Sequence, residues 1–362
     1  MYQTSGSTRS KSNPRSAPAI RSRAARAQRS WKRSGRRVLS SRMLAATSHS
    51  GDTAIRVRAR SATVKVIVSI QLSLNQFSRR AGGPRVADMT MRLKIGDLDI
   101  HRLGFGAMRL TGYRPAADRA DAIRVARRAV ELGVDFIDTA DAYGIGANEE
   151  LLAEALHPYG DVVIATKIGH TRPSPREWIP LGRPEYLRQA AELSLRRLRV
   201  ERIDLLQLHR VDPAVPLADQ LGALAQLVAE GKVRYVGLSE VTVDELREAR
   251  RHVEVVSVQN RYNLTDRGHE PVLEYCTTEG IAFIPWVPIA LGEHAGSRVL
   301  AEIAAETGAT AAQLSLAWLL HRSPVVVPIP GTSSEAHLAE NVAAADVRLT
   351  ADQTTRLEAY NG

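Results

Sequence analysis

The sequence predicts an α/β chain folded as a (β/α)8 TIM barrel with a short N-terminal β-hairpin, and three observations carry that prediction. Short apolar runs recur eight times after residue 100, as suits strands of a parallel sheet covered on both faces. Segments with helical apolar spacing separate them. The glycine fingerprint of the rival fold, a doubly wound open sheet, is missing: Gly104-Phe105-Gly106 is followed by Arg109 where the third glycine of Gly-x-Gly-x-x-Gly belongs.

Taken in order, Leu93-Lys94-Ile95-Gly96-Asp97-Leu98-Asp99-Ile100 alternates around a Gly-Asp turn and reads as the hairpin. Strands are expected at residues 103–106, 134–138, 162–167, 204–209, 233–239, 255–259, 281–286 and 325–328. Between them, Leu217, Leu221, Leu224 and Val228 form one apolar stripe that a helix would lay against a sheet. Leu187, Ala191, Leu195 and Leu198 repeat the design. Gly133 and Gly231 follow helical segments, where a residue tolerant of positive φ ends a helix. Eight such units fit the roughly 250 residues that a closed barrel takes.

The full chain, 362 residues, is long enough for that barrel plus an extension. Its net charge of +10 is unevenly placed: residues 1–90 hold 19 Lys and Arg against 2 Asp and Glu, whereas residues 91–362 hold 30 against 37. The basic character therefore belongs to residues 1–90, and the barrel is expected over residues 91–362. The first segment is rich in Arg and Ser, as in Arg21-Ser22-Arg23-Ala24-Ala25-Arg26, and lacks hydrophobic periodicity, so disorder is expected there. Its one apolar run, residues 62–74, contains Lys65 and falls short of the roughly 20 residues that span a bilayer. No membrane segment is expected elsewhere.

Three readings of the segment stand: an arm for nucleic acid, a transit peptide, or residues upstream of the start used in the cell. Met89 and Met91, just before the first patterned segment, favour the third. Nucleic acid is accordingly an unfavoured partner. A single cysteine, Cys276, excludes an intrachain disulfide and a cysteine cluster for zinc, so no metal is expected and a cytoplasmic setting fits. The barrel pattern is compatible with a monomer or a weak homo-oligomer.

In such barrels chemistry sits at the C-terminal strand ends. Asp138 closes strand two and Tyr143 follows in its loop; Lys167 closes strand three and His209 strand four. Singly, each has an ordinary structural reading: a turn aspartate, a surface tyrosine, an ion-paired lysine, a satisfied histidine. Together they can move a proton. A phenol has a pKa of about 10, and bringing it to neutrality takes about 4 kcal/mol, which one nearby cation in a desolvated pocket supplies. Lys167 would be that cation, Asp138 would hold it, and His209 would orient a substrate carbonyl.

This set resembles the catalytic tetrad of the aldo/keto reductases, in which the tyrosine lies five residues after the aspartate, and the resemblance extends over residues 92–345. It implies that Tyr143 is the general acid in reduction of a small-molecule carbonyl. It further implies that Gly106, Ala107, Met108 and Asp138 border the cofactor. Ser239, Glu240 and Gln259 would approach the nicotinamide, and Trp286 would stack on it. Residues Gly331, Thr332, Ser333, His337, Glu340 and Asn341 would wrap the adenosine phosphate, where a loop entering a helix N-terminus offers free N–H groups.

Two departures matter. Glu240 stands where the family usually has Asn, and Gly331 and His337 stand where many members have Lys and Arg to grip a 2′-phosphate. NADP(H) is still expected over NAD(H), with a weakened preference. Residues 104–112 and 330–338 look most like the bacterial branch containing pyridoxal reductases (pyridoxine 4-dehydrogenases), which suggests an aromatic aldehyde. Specificity is expected in loops 168–182 and 291–297, which a single sequence does not interpret. A rival from another class is a cofactor-binding regulatory subunit of the same fold; the complete tetrad argues against it.

Overall fold

The computed structural model describes residues 91–111, 118–290 and 297–360. The expectations for residues 1–90, for most of loop 291–297 and for Gly112 lie outside the described residues. The strands are β1 (Arg92–Ile95), β2 (Leu98–His101), β3 (Phe105–Gly106), β4 (Phe136–Asp138), β5 (Val163–Ile168), β6 (His170–Thr171), β7 (Ile179–Pro180), β8 (Ile203–Leu208), β9 (Val233–Ser239), β10 (Val255–Gln259) and β11 (Ala282–Phe283). β3, β4, β5, β8, β9, β10 and β11 are neighbours in that order, all parallel.

The eighth barrel position is filled by residues 325–330, which close the ring without forming a regular strand. Phe283 N–H donates to Val325 O (2.9 Å) and Val327 N–H to Phe283 O (2.8 Å) on one side. On the other, Gly104 N–H donates to Pro328 O (3.0 Å) and Gly106 N–H to Pro330 O (3.4 Å). Pro328 and Pro330 have no N–H to give, so they accept from β3 without completing a ladder. Close backbone approach tightens this seam: a Cβ at Gly106 would lie 2.7 Å from Ile329 O, and one at Gly331 would lie 2.6 Å from Gly106 O.

Helices cover the outside, and their caps are visible in the sequence. The helix Arg119–Glu131 starts on Asp118, whose side chain accepts from Ala120 N–H. Val243–Ala249, Ala311–Arg322 and Ala351–Glu358 start with capping boxes on Thr242, Thr310 and Thr350. Pro184–Leu198 buries Leu187, Ala191, Leu195 and Leu198, as its spacing requires. In Leu217–Ala229 the buried leucines are Leu221, Leu224 and Leu227, a stripe slightly rotated from the expected one. Gly133 and Gly231 have φ of 92° and 74°. No helix among the described residues is long and apolar enough to cross a membrane.

The hairpin β1–β2 is a plug. Ile95, Leu98 and Ile100 pack with Phe136, Val163, Leu205, Ile284 and Val327 from the barrel interior. Its turn leans on β9, where Asp97 accepts from Tyr235 Oη at 2.8 Å. Ile100 is fully buried in this cluster. Replacing Ile100 with Ala should cost about 2–5 kcal/mol of stability in a urea unfolding curve; a loss below about 1 kcal/mol would mean the plug adds little.

Candidate active site

The barrel mouth opens into one cavity of about 770 Å³. Asp138, Tyr143, Lys167 and His209 are brought together beneath it, and all four are buried. Alternation along the strands points Asp138, Lys167 and Gln207 into the barrel, where Lys167 is paired in register with Gln207. Gly237 makes the space: a Cβ there would lie 2.9 Å from Gln207 Cγ and 2.3 Å from Ser257 Oγ.

Lys167 spends its three N–H groups on three acceptors: Asp138 Oδ1 at 2.5 Å, Thr139 O at 2.8 Å and Tyr143 Oη at 3.2 Å. The other Asp138 oxygen accepts from Gln207 Nε2 (3.0 Å) and Gln259 Nε2 (2.9 Å). A buried ion pair is tolerated when its remaining hydrogen-bonding capacity is filled in this way. Burial alone would lower the Lys167 pKa, but the charge of Asp138 and the contacts to both partners outweigh it and hold the ammonium above its ordinary value.

Tyr143 departs from expectation. Burial pushes its phenol above the ordinary value and outweighs the downward pull of Lys167, whose charge Asp138 largely balances. The cation therefore orients the phenol without ionising it. Because the phenol oxygen accepts from Lys167, its own proton is left to point elsewhere.

His209 sits 5.9 Å from Tyr143 between ring centroids, edge to face. Burial first, then Lys167, holds it well below its ordinary pKa, so it is a neutral ring. The sequence analysis did not identify four further residues here. Gln207 binds Asp138; His170 and Trp178 form a wall beside His209; and Arg210 reaches Ser239 Oγ at 3.0 Å. A polar Gln207 two residues before His209 in a buried strand was the available signal.

The other expected residues divide. Gly106, Met108, Ser239, Gln259, Trp286 and Gly331 line the cavity. Ala107 is buried behind it, with its N–H on Asp138 O at 2.9 Å. Glu240, at φ 56°, turns away to accept from Trp286 Nε1 and Arg261 N–H, both at 2.6 Å, so it fixes the tryptophan. Thr332 and Asn341 are buried, while Ser333 and His337 are exposed around the N-terminus of helix Glu335–Ala343, capped by Ser334. Glu340 is held by Thr310 Oγ1 at 2.5 Å, on the helix flank.

The family model described as aldo/keto reductase family matches residues 102–361. The chain belongs to the aldo/keto reductase family. It is 48% identical over 270 residues to an uncharacterised oxidoreductase of Schizosaccharomyces pombe, covering 74% of this chain and 88% of that protein. It is 39% identical to pyridoxine 4-dehydrogenase of Escherichia coli, covering 73% and 96%, in agreement with the branch resemblance. Among solved structures, a thermostable aldo-keto reductase in complex with the inhibitor epalrestat superposes with a TM-score of 0.67 at 31% identity, covering 74% and 98%. An aldo/keto reductase from Klebsiella pneumoniae in complex with NADP and acetate gives 0.64 at 27%, covering 74% and 94%. As a member of this family the chain is a nicotinamide-dependent oxidoreductase.

Asp141 lies beside the site without joining it. Its Oδ1 is enclosed with no partner, and burial together with nearby Glu149 pushes the carboxyl up to about 8. A folded pKa above the unfolded one of about 3.9 means that the contribution of Asp141 to stability is most favourable below pH 4 and is lost as pH rises toward 8. Asp141→Asn should therefore gain on the parent over that range and hold a constant lead above it, on the order of 5 kcal/mol. Thermal melts from pH 5 to 9 check this; a lead that does not vary with pH would contradict it.

Proposed function

We propose that this aldo/keto reductase is an NADPH-dependent reductase of aldehyde and ketone carbonyls, reversible, with pyridoxal-type aromatic aldehydes among its substrates. The observation that carries the reading is the Tyr143 phenol, clamped through its oxygen by Lys167 and held protonated at the base of the cavity. Such a group donates a proton to a nascent alkoxide. Neutral His209 fits a donor to the carbonyl oxygen.

The residues present fit a nicotinamide dinucleotide. Trp286 offers a half-buried indole on the cavity wall, fixed by Glu240; Ser239 and Gln259 place polar groups beside it. Thr332, Ser333 and the N–H groups entering helix Glu335–Ala343 suit a phosphate. The cofactor supplies the hydride; the chain binds, orients and delivers the proton. NADP(H) is favoured over NAD(H) by the NADP-bound Klebsiella relative. Against it, Gly331 and His337 put no permanent cation at the phosphate end, and Gly331 is a glycine because Gly106 O leaves no room for a Cβ.

The reading includes a cytoplasmic setting, a barrel over residues 91–362 and residues 1–90 as a basic extension. Tyr143→Phe should lower kcat about 10²–10⁴-fold, the range of general acid catalysis, and leave the dissociation constant for NADPH within about twofold. Absorbance assays with pyridoxal, together with NADPH fluorescence titration, measure both. Full activity in the variant would remove the proton-donor assignment.

A further inference from the structure

A second histidine stands in the cavity wall with no task in the chemistry described above. His170, on β6, lies beside His209 with ring centroids 4.4 Å apart, and Trp178 stands edge-on to both at 5.5 and 5.9 Å. Trp178 also meets Tyr143 at 6.2 Å, and all four side chains line the same cavity. The two imidazoles are 5% and 7% exposed, and in each of them Nδ1 is enclosed without a hydrogen-bond partner.

That enclosure determines where the ring proton sits. An enclosed N–H with no acceptor is tolerated less well than an enclosed lone pair, so each neutral ring carries its proton on Nε2, the nitrogen left to the cavity. The rings are neutral: burial, then Arg210 and Arg172, pulls His170 down to about 4, and His209 is also held low. Two uncharged N–H donors therefore face one space, one beside Tyr143 and one a ring further on.

We infer that His170 is a specificity-determining residue, which donates from Nε2 to an oxygen on the substrate atom next to the one bearing the carbonyl. The preferred substrates are then planar aldehydes with an ortho oxygen substituent. This rests on the reductase reading of the same site. With the carbonyl oxygen between Tyr143 and His209, the neighbouring ring is reached by a substituent adjacent to the carbonyl, not by one across the ring. Trp178 gives the cavity a flat aromatic wall that suits a planar substrate.

The test compares 2-hydroxybenzaldehyde with 2-methylbenzaldehyde, near-identical in shape, using the full chain and NADPH. The ratio of their kcat/KM values is measured for the parent, His170→Phe and His170→Gln, so that intrinsic reactivity cancels between proteins. One neutral hydrogen bond corresponds to about 3–10-fold. His170→Phe should lower the ratio by that factor. His170→Gln, which keeps an N–H donor, should recover part of the preference.

An unchanged ratio in His170→Phe, with both aldehydes turned over, would overturn the inference alone. An equal loss on both would do the same, by assigning His170 a purely structural role. No turnover of either aldehyde by the parent, with NADPH bound, would instead overturn the reductase reading and this inference with it.

Discussion

The site depends on one buried ion pair, Lys167 with Asp138, at the centre of a barrel. Taking both charges out of water costs several kcal/mol per ion, and the pair persists only because each remaining donor and acceptor is matched. Thr139 O, Tyr143 Oη, Gln207 and Gln259 do the matching, from the loop that follows β4 and from strands β8 and β10. The same contacts that stabilise the pair fix the phenol. Removing one partner would leave an uncompensated charge under Tyr143, so stability and proton delivery are tied to a single network.

Around this pair the titratable rings that face the substrate carry no charge, while the cation Arg210 lies to one side on Ser239. His170 and His209 are neutral, and Tyr143 stays protonated because burial outweighs a cation that Asp138 already balances. Above a fully paired, buried ion pair, one hydrogen bond to a developing alkoxide counts for more than it would in water. Glu240, standing where the family usually has Asn, contributes at one remove: its carboxylate ties the Trp286 indole and the Arg261 backbone together and thereby holds an aromatic face toward the cavity.

Much of this was legible in the residues. Strand periodicity located the barrel, and the spacing of Asp138 and Tyr143 with Lys167 and His209 on the next strand ends located the site. What escaped was set by contacts between distant segments. The eighth barrel position reads as a strand in Val325-Val326-Val327, but Pro328 and Pro330 reduce it to carbonyl acceptors on β3. The direction of the Tyr143 shift depends on burial and on how far Asp138 balances Lys167, neither of which spacing encodes. Gln207 looks like an ordinary polar strand residue, and Gln259 was expected only at the nicotinamide, yet both reach Asp138 Oδ2. His170 and Trp178 lie in loop 168–182, where no periodicity announces which side chains turn inward.

The most direct test of the central claim, that the ion pair and its network act as one unit, is a double-mutant cycle on Asp138→Asn and Lys167→Met, read in both unfolding free energy and turnover. Each single variant should lose about 3–5 kcal/mol by stranding a buried charge, and the double variant should lose less than their sum. Turnover should collapse in each single variant and fall little further in the double. Additive stability losses, with activity losses that multiply, would contradict the account.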